Sequence, residues 1–205
     1  MNVLIACEFS GVVRDAFIAK GHKAVSCDLL PTENPGPHYK GDVLRIMESY
    51  QWDLMIAHPP CTFLTVTGNK WMKPEYRERF PNRLEQRQEA IDFFMEFAES
   101  EINKIAIENP IGIMSTKWRK PDQIIHPNMF GHNFKKATCL WLKNLPKLEA
   151  TNIVEPEWKV FKSGKRMSME HYNTSKLDPD DRWKARSITP LGIAIEMAEQ
   201  WGNSD

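Results

Sequence analysis

The chain has 205 residues, which suits one sizeable α/β domain and is short for two. Basic and acidic residues number 27 each, so no global positive charge attracts nucleic acid and any such binding needs a local patch. The four cysteines are widely spaced, without a CxxC motif or clustered histidines, which indicates reduced cytosolic thiols and neither a metal site nor a disulfide framework. No apolar run approaches the roughly 20 residues of a membrane helix, and the first run is too short for a signal peptide. We therefore expect a soluble cytoplasmic protein with no membrane contact.

The first predicted elements form a β-α-β unit. An apolar strand from Val3 to Cys7 ends in a polar turn, and a helix follows from about Val12 to Gly21. The second strand, KAVSCDLLP, places Asp28 17 positions after Gly11. At about this spacing, nucleoside-binding folds place a carboxylate on ribose hydroxyls. The pattern predicts a nucleoside site, with a simple tight turn at Gly11 as the alternative.

Residues 31–41 are rich in proline and glycine and predict an irregular loop. The sequence Gly41-Asp42-Val43-Leu44 follows, and residues 45–51 predict a short helix. Asp42 is either a ligand contact or a solvated turn residue.

The next strand ends in a cysteine turn. Leu54 to Ala57 form an apolar run, and His58-Pro59-Pro60-Cys61 follow it directly. Proline fixes φ and cannot continue a sheet ladder, so this turn would hold the Cys61 thiol in one orientation past the strand's carboxyl end. Open α/β sheets bind ligands there. A simply buried cysteine is the alternative.

About twenty residues after Cys61 lack any apolar period. Basic and aromatic side chains alternate there, a composition suited to phosphate contacts and base stacking, with a solvated charged loop as the alternative. The basic residues are Lys70, Lys73, Arg77, Arg79 and Arg83, and the aromatic ones are Trp71, Tyr76 and Phe80. An amphipathic helix, RLEQRQEAIDFFMEFAES, follows, with Leu84, Ala90 or Ile91, Phe94, and Phe97 or Ala98 on its buried side.

The second half repeats the strand-and-turn design once and ends in a helix. The run KIAIENPIG predicts a strand ending in Glu108, Asn109 and Pro110. Residues 113–134 predict irregular structure, and a strand is expected around Thr138 to Leu142. The last helix, roughly Pro190 to Trp201, should pack on the sheet through Ile193, Ala194, Met197 and Trp201. His126 and His132 have no third metal ligand at useful spacing and are expected to form loop hydrogen bonds.

Three of these turns, in this order, resemble the hallmarks of the cytosine-5 DNA methyltransferase family. The F-x-G turn matches Phe9-Ser10-Gly11, the Pro-Cys turn matches Pro60-Cys61, and the Glu-Asn turn matches Glu108-Asn109. The resemblance implies an α/β fold, a single Rossmann-like class I methyltransferase domain over residues 1–205, with an open twisted sheet and helices on both faces. A reduced insertion at about 149–186 stands where the family carries a DNA-recognition domain.

The resemblance also implies an activity, methyl transfer from S-adenosylmethionine to carbon 5 of cytosine in DNA through a covalent cysteine adduct. It assigns catalysis to Cys61 as nucleophile and Glu108 as the acid at ring nitrogen 3, with Asn109 beside it. The implied cofactor contacts are Glu8, Phe9, Ser10, Gly11, Asp28, Leu29, Asp42, Val43 and Pro59, and Ser187 and Thr189 are further candidates. The implied substrate contacts are Pro60, Lys70, Arg77, Arg83, Lys136 and Thr138. The sequence departs from the family where Val12 and Val13 replace further glycines and where Lys136 and Thr138 replace the expected arginines.

Three alternatives remain open at this stage. The His58-Pro59-Pro60 turn resembles the D/N-P-P turn of amino-group methyltransferases, although a cysteine replaces the aromatic residue. A pyrimidine nucleotide could be the acceptor, since the chain has no net charge and no full recognition domain. A catalytically silent α/β nucleotide-binding protein is the third. If DNA is the partner, we expect single-stranded DNA or a weakly bound duplex, held by residues 70–87 and by Lys162, Lys165 and Arg166, and the oligomeric state stays open.

Overall fold

The computed structural model describes residues 1–203, and residues 204 and 205 of the predicted domain lie outside the described residues. The strands are β1 Asn2–Ala6, β2 Lys23–Asp28, β3 His38–Lys40, β4 Leu54–Ala57, β5 Lys104–Pro110, β6 Gln123–Ile125, β7 Thr138–Lys143, β8 Trp158–Val160 and β9 Arg166–Ser168. The helices are α1 Val12–Ala19, α2 Val43–Ser49, α3 Arg83–Ala98, α4 Met114–Lys117, α5 Met169–Thr174, α6 Pro179–Ser187 and α7 Leu191–Gly202.

Seven strands form one open sheet in the order β3-β2-β1-β4-β5-β7-β6. The five strands from β3 to β5 in this order are parallel, and β7 runs antiparallel to both of its neighbours. The direction of strand addition reverses between β1 and β4, which makes the carboxyl end of this strand pair the expected ligand crevice. The α/β fold class predicted from the sequence is confirmed.

The central strands are apolar along their whole length because helices cover both faces of the sheet. Val3 and Ile5 of β1 point to the face covered by α1 and α7, whereas Leu4 and Ala6 point to the face covered by α3. The predicted core residues of the last helix, Ile193, Ala194, Met197 and Trp201, are buried on the first face. On the second face, Phe94 and Phe97 of α3 are fully buried.

A buried guanidinium fixes the first turn. Arg14 is fully buried and donates to the Ser26 hydroxyl (3.2 Å) and to the Asn34 carbonyl (2.9 Å). Gly11 precedes α1 with φ of 77°, and a Cβ built on it would lie 2.5 Å from the guanidinium. Only glycine fits such a position. Gly11 therefore leaves the space that the buried Arg14 guanidinium occupies beside the turn.

Three details of the sequence prediction are wrong. The loop predicted over residues 31–41 contains the edge strand β3, and the irregular region over residues 113–134 contains β6 and the short α4. Both strands are three residues long, and partners distant in the sequence define them, so they leave no local periodicity. Leu84, expected on the buried side of α3, is 51% exposed because the helix meets the sheet only in its later turns.

The predicted insertion at residues 149–186 contains two strands and two helices. Strands β8 and β9 pair as an antiparallel hairpin, and α5 and α6 follow it. The hairpin carries Lys159, Lys162, Lys165 and Arg166 within residues 158–166, with no acidic residue. Among the helices of residues 1–203, none is long and apolar enough to span a membrane.

Candidate active site

A pocket of about 130 Å³ lies at the carboxyl ends of β1, β4 and β5. The turns after these three strands line it through residues 7–10, 58–61 and 108–110. Lys136, ahead of β7, and Arg186, Ser187 and Thr189, ahead of α7, complete the wall. This central pocket therefore contains all three predicted catalytic residues.

Hydrogen bonds join the cysteine turn to the Glu-Asn turn. The buried side-chain amide of Asn109 donates to the Pro59 carbonyl at 2.7 Å. Further along, the backbone N–H of Ile113 donates to the carbonyl of Leu64 at 2.8 Å. Gly112 allows this approach, because a Cβ there would lie 2.4 Å from the Leu64 oxygen. The two turns thus form one unit although about fifty residues separate them.

Cys61 is half-buried at the start of a helical turn, and its carbonyl accepts the backbone N–H groups of Leu64 (3.0 Å) and Thr65 (3.1 Å). Burial raises the pKa of the Cys61 thiol, the negative charge of Glu108 raises it further, and the nearby Lys136 ammonium opposes both effects. Cys61 is therefore a thiol rather than a thiolate at neutral pH.

The pKa of Glu108 is shifted in the opposite direction, below its ordinary value. Burial alone would raise the pKa of this carboxyl group, but a hydrogen bond from His58 and the attraction of His58 and Lys136 outweigh burial and lower the pKa below its ordinary value. Oε2 of Glu108 lies 3.1 Å from Nδ1 of His58. Because a carboxylate can only accept, the Nδ1–H of His58 is the donor. Glu108 is therefore a carboxylate at neutral pH.

Glu8 holds the start of helix α1. One carboxylate oxygen accepts the N–H of Val13 at 2.7 Å and the Ser10 hydroxyl at 3.2 Å, and the other accepts the N–H of Arg14 at 3.3 Å. These bonds satisfy free N–H groups of the first turn. Burial raises the pKa of Glu8, and the attraction of His58 together with these hydrogen bonds offsets part of that rise. Glu8 lines the pocket, yet both of its oxygens are already bonded.

A second cavity, here called the adjoining cleft, has a volume of about 370 Å³ and shares Cys7 and Pro60 with the central pocket. Asp28 and Asp42 lie at its polar end, each with one oxygen bonded to a nearby backbone N–H, Asp28 to Leu30 (2.9 Å) and Asp42 to Leu44 (3.0 Å). Leu29, Gly41, Val43 and Phe93 supply the remaining wall. Each carboxylate keeps one oxygen without a hydrogen bond from residues 1–203.

Comparison with solved structures finds a likeness to a protein of E. coli, described provisionally as a DNA modification methyltransferase encoded within a prophage. The TM-score is 0.45 at 15% sequence identity over 76% of this chain. The chain spans about half of that protein, 52% of its length. A scan against models of protein families finds no match, and a search of curated proteins finds none.

The structure gathers most of the predicted cofactor residues but not all predicted substrate residues. Glu8, Phe9, Ser10 and Pro59 line the central pocket, and Asp28, Leu29, Asp42 and Val43 line the adjoining cleft. Gly11 lines neither cavity. Pro60 and Lys136 line the central pocket, and Thr138 lies in a small recess beside it.

The basic loop after Cys61 stays outside both cavities. Its aromatic rings pack on one another, with Trp71 at 5.1 Å from Tyr76 and 5.3 Å from Phe80 between ring centroids. Lys70 lies over the Trp71 ring at 4.2 Å, and Arg83 lies over the Phe63 ring at 4.6 Å. Lys70 and Arg83 therefore contact this aromatic cluster, and Lys70, Arg77 and Arg83 do not line the pocket.

Several features around the pocket carry no local signal in the sequence, although Lys136 itself is one of the predicted substrate contacts. Cys7 adopts a φ of 58° directly after β1, which turns its side chain between the two cavities. Lys136 donates to the Arg186 carbonyl at 2.6 Å and so joins the end of α6 to the pocket rim. Trp183 of the same helix packs edge-on against Phe9, with 5.8 Å between ring centroids. These contacts join segments far apart in the sequence, which no local motif could indicate.

Proposed function

We propose that the protein transfers a methyl group from S-adenosylmethionine to carbon 5 of a cytosine in DNA, with Cys61 as the nucleophile. One observation carries the proposal: the Cys61 thiol and the Glu108 carboxylate lie in one pocket, on two turns that hydrogen bonds join, at the reversal point of an α/β sheet. A reaction at carbon 5 needs this pair, a thiolate that adds to carbon 6 and an acid at ring nitrogen 3.

The adjoining cleft suits the nucleoside part of the cofactor. The oxygens of Asp28 and Asp42 that accept no hydrogen bond from residues 1–203 can accept hydrogen bonds from ribose hydroxyls and an adenine amino group. Leu29, Val43 and Phe93 offer apolar contacts to a flat ring. The methionine part would reach the central pocket past Cys7, and when bound, S-adenosylmethionine would supply an electrophilic methyl group there.

The two catalytic groups rest in protonation states opposite to those the reaction needs. Cys61 is a thiol whose pKa is raised by burial and by Glu108, and Glu108 is a carboxylate whose pKa is lowered mainly by His58 against the effect of burial. Transfer of one proton from Cys61 to Glu108 would give both groups the protonation states that the reaction needs. The S–H bond breaks, an O–H bond forms, and the total charge of the pair is unchanged.

The adduct then follows with balanced bonds. The Cys61 thiolate forms a bond to carbon 6, the electrons of the ring double bond move toward nitrogen 3, and Glu108 gives its proton to that nitrogen. After carbon 5 gains the methyl group, its hydrogen leaves as a proton to a water molecule, and the bond to Cys61 breaks as the ring double bond re-forms. Nitrogen 3 then returns its proton to Glu108, which passes it back to the Cys61 thiolate. Because carbon 6 is inaccessible in stacked DNA, the base must be unpaired or flipped out.

Contacts at the His58-Pro59-Pro60 turn favour carbon 5 over an exocyclic amine as the acceptor. In an amino-group methyltransferase, the first side chain and the following carbonyl of such a turn would receive the amine. Here the His58 imidazole donates to Glu108, and the Pro59 carbonyl accepts from Asn109. The Glu-Asn turn thus already occupies one hydrogen-bonding position on each of these two groups.

DNA is the proposed partner because two basic, aromatic-containing surfaces lie apart from the cavities. One is the loop around Trp71, and the other is the β8–β9 hairpin, where Arg166 lies over the Trp158 ring at 4.8 Å. Lysine and arginine beside aromatic rings suit phosphate contacts and base stacking. Their small number predicts weak, salt-sensitive binding, with single-stranded DNA or a loosely held duplex as substrate.

The direct experiment measures methyl transfer from labelled S-adenosylmethionine to single-stranded DNA, duplex DNA and free pyrimidine nucleotides, followed by nucleoside analysis. The proposal predicts 5-methylcytosine in DNA, and label only in the nucleotide pool would assign a nucleotide acceptor. Cys61→Ser should abolish transfer while retaining cofactor binding, and Glu108→Gln should slow it by about 10²- to 10⁴-fold. Label on the exocyclic nitrogen, or near-normal transfer by Cys61→Ser, would refute the proposal.

A further inference from the structure

His58 has contacts beyond those of a turn residue. Its side chain is 8% exposed and lies in the central pocket beside Glu108, whose side chain is 20% exposed. Nδ1 bonds Oε2 of Glu108, and Nε2 is buried without a hydrogen-bond partner in residues 1–203. Burying a ring nitrogen without a partner costs free energy. The hydrogen bond from Nδ1 to Glu108 is therefore the polar contact that holds the imidazole in this position.

The two oxygens of Glu108 differ. Oε2 is occupied by the imidazole, whereas Oε1 accepts no hydrogen bond from residues 1–203. Oε1 is therefore the oxygen available to a molecule in the pocket. If the Nδ1–H of His58 keeps donating to Oε2, a proton taken up by Glu108 must reside on Oε1 and face the ligand.

We infer that His58 is a positioning residue, which by donating to Oε2 of Glu108 reserves Oε1 for the proton that the substrate ring receives. The inference rests on the proposed function for the identity of that substrate, but the contact and its effect on Glu108 do not depend on it. His58 itself exchanges no proton with the substrate. Its effect on the reaction acts through the Glu108 carboxyl group, so the test must separate this effect from a direct role of His58.

Charged groups other than His58 also shift the pKa values of Cys61 and Glu108, and the test must account for them. Lys136 lowers the pKa of both Cys61 and Glu108, and the Glu108 carboxylate in turn raises the pKa of Cys61 and of Cys139. On the opposite side, Glu8 feels the attraction of His58. Glu108 raises the pKa of the Cys61 thiol and Lys136 lowers it, so a Glu108→Gln background shows whether a change at His58 reaches Cys61 through Glu108.

Asparagine and glutamine provide a matched pair of substitutions. The amide nitrogen of Asn stands as many bonds from Cα as Nδ1 of histidine does, whereas that of Gln corresponds to Nε2. His58→Asn therefore keeps a donor for Oε2, and His58→Gln moves the same group away from it. We expect His58→Gln and His58→Ala to lower kcat by about 10²-fold, the usual loss for a displaced reacting group, with an unchanged Kd for S-adenosylmethionine, and His58→Asn to recover most of the rate.

A second readout does not need methyl transfer. At pH values between the pKa of Glu108 and the pKa of Cys61, the two groups together carry one proton. Loss of the hydrogen bond from His58 raises the pKa of Glu108, so that proton lies more often on Glu108 and Cys61 is more often a thiolate. Iodoacetamide should therefore alkylate Cys61 faster in His58→Gln than in the natural protein, with peptide mass spectrometry reporting each cysteine. In a Glu108→Gln background the His58 substitutions should change nothing further.

These outcomes separate the inference from the proposed function. Faster alkylation in the presence of Glu108 and no further change without it supports the inference even if no methyl transfer is found. Equal alkylation and equal kcat in the Asn and Gln variants, or a His58 effect that persists in the Glu108→Gln background, overturns it. If His58→Ala fails to fold, the Asn and Gln pair decides the question alone.

Discussion

Replacing Asn109 tests whether the two catalytic turns act as one unit. Asn109 is 2% exposed and donates to the buried carbonyl of Pro59 at 2.7 Å. Asn109→Ala removes the donor and leaves this carbonyl without its partner. An unsatisfied buried acceptor costs about 1–3 kcal/mol, and we expect this loss in the free energy of unfolding.

Asn109→Asp sharpens the same test. An ionised carboxylate facing the Pro59 carbonyl places two acceptors together, so this variant should be less stable than Asn109→Ala at neutral pH. Burial raises the pKa of the introduced carboxyl group in the folded state, and its protonated form can donate to Pro59. The stability it contributes is therefore present at low pH and is lost as the pH rises through the raised value.

Urea denaturation as a function of pH measures these changes, and Asn133→Ala is the control. Asn133 is exposed and its side chain donates to Glu157 at 2.8 Å, so its loss should change stability by no more than about 0.5 kcal/mol. Methyl transfer should fall in both Asn109 variants because the Cys61 turn loses its support. If Asn109→Ala matches Asn133→Ala in stability and retains full activity, the bond to Pro59 does not hold the site together.

The remaining predictions concern the cofactor, the thiol and DNA. Asp28→Ala should weaken S-adenosylmethionine binding by about 1–3 kcal/mol in calorimetry, and absence of heat with the natural protein would remove the cofactor proposal. Glu108→Gln removes the charge that raises the pKa of Cys61, so iodoacetamide should modify Cys61 faster near neutral pH. Cys7, on which Glu108 has no effect, should keep its rate, and equal acceleration at both would indicate general loosening. DNA affinity should fall with salt, with a slope set by a handful of phosphates, and a tight, salt-insensitive complex would contradict the basic surfaces proposed here.

The strand ends that carry the site could be predicted because their signals are local. Each buried parallel strand is a short apolar run, and Cys61, Glu108 and Asp28 stand directly after or at the end of such a run. The carboxyl ends of parallel strands lie at the same edge of a sheet. The position of each residue at a strand end is therefore enough to predict that the three lie at one edge.

The missed features depend on contacts between distant segments. His58 was interpreted as the first residue of a proline turn and, in one alternative, of an amine-binding turn. Its bond to Glu108 was missed because it spans fifty positions. No local pattern marks Arg14 of helix α1, yet its guanidinium is buried under the first turn. The edge strands β3 and β6 exist because β2 and β7 offer free backbone groups, which a local pattern cannot reveal.

The central claim, a covalent bond between Cys61 and carbon 6 of cytosine, is tested most directly with DNA containing 5-fluorocytosine. Fluorine cannot leave as a proton does, so with S-adenosylmethionine present the adduct should accumulate, and mass spectrometry should find the nucleotide attached to Cys61 and to no other cysteine. Cys61→Ser should form no adduct under the same conditions. Methylated product without any adduct in the natural protein, or an adduct at a different cysteine, would contradict the account.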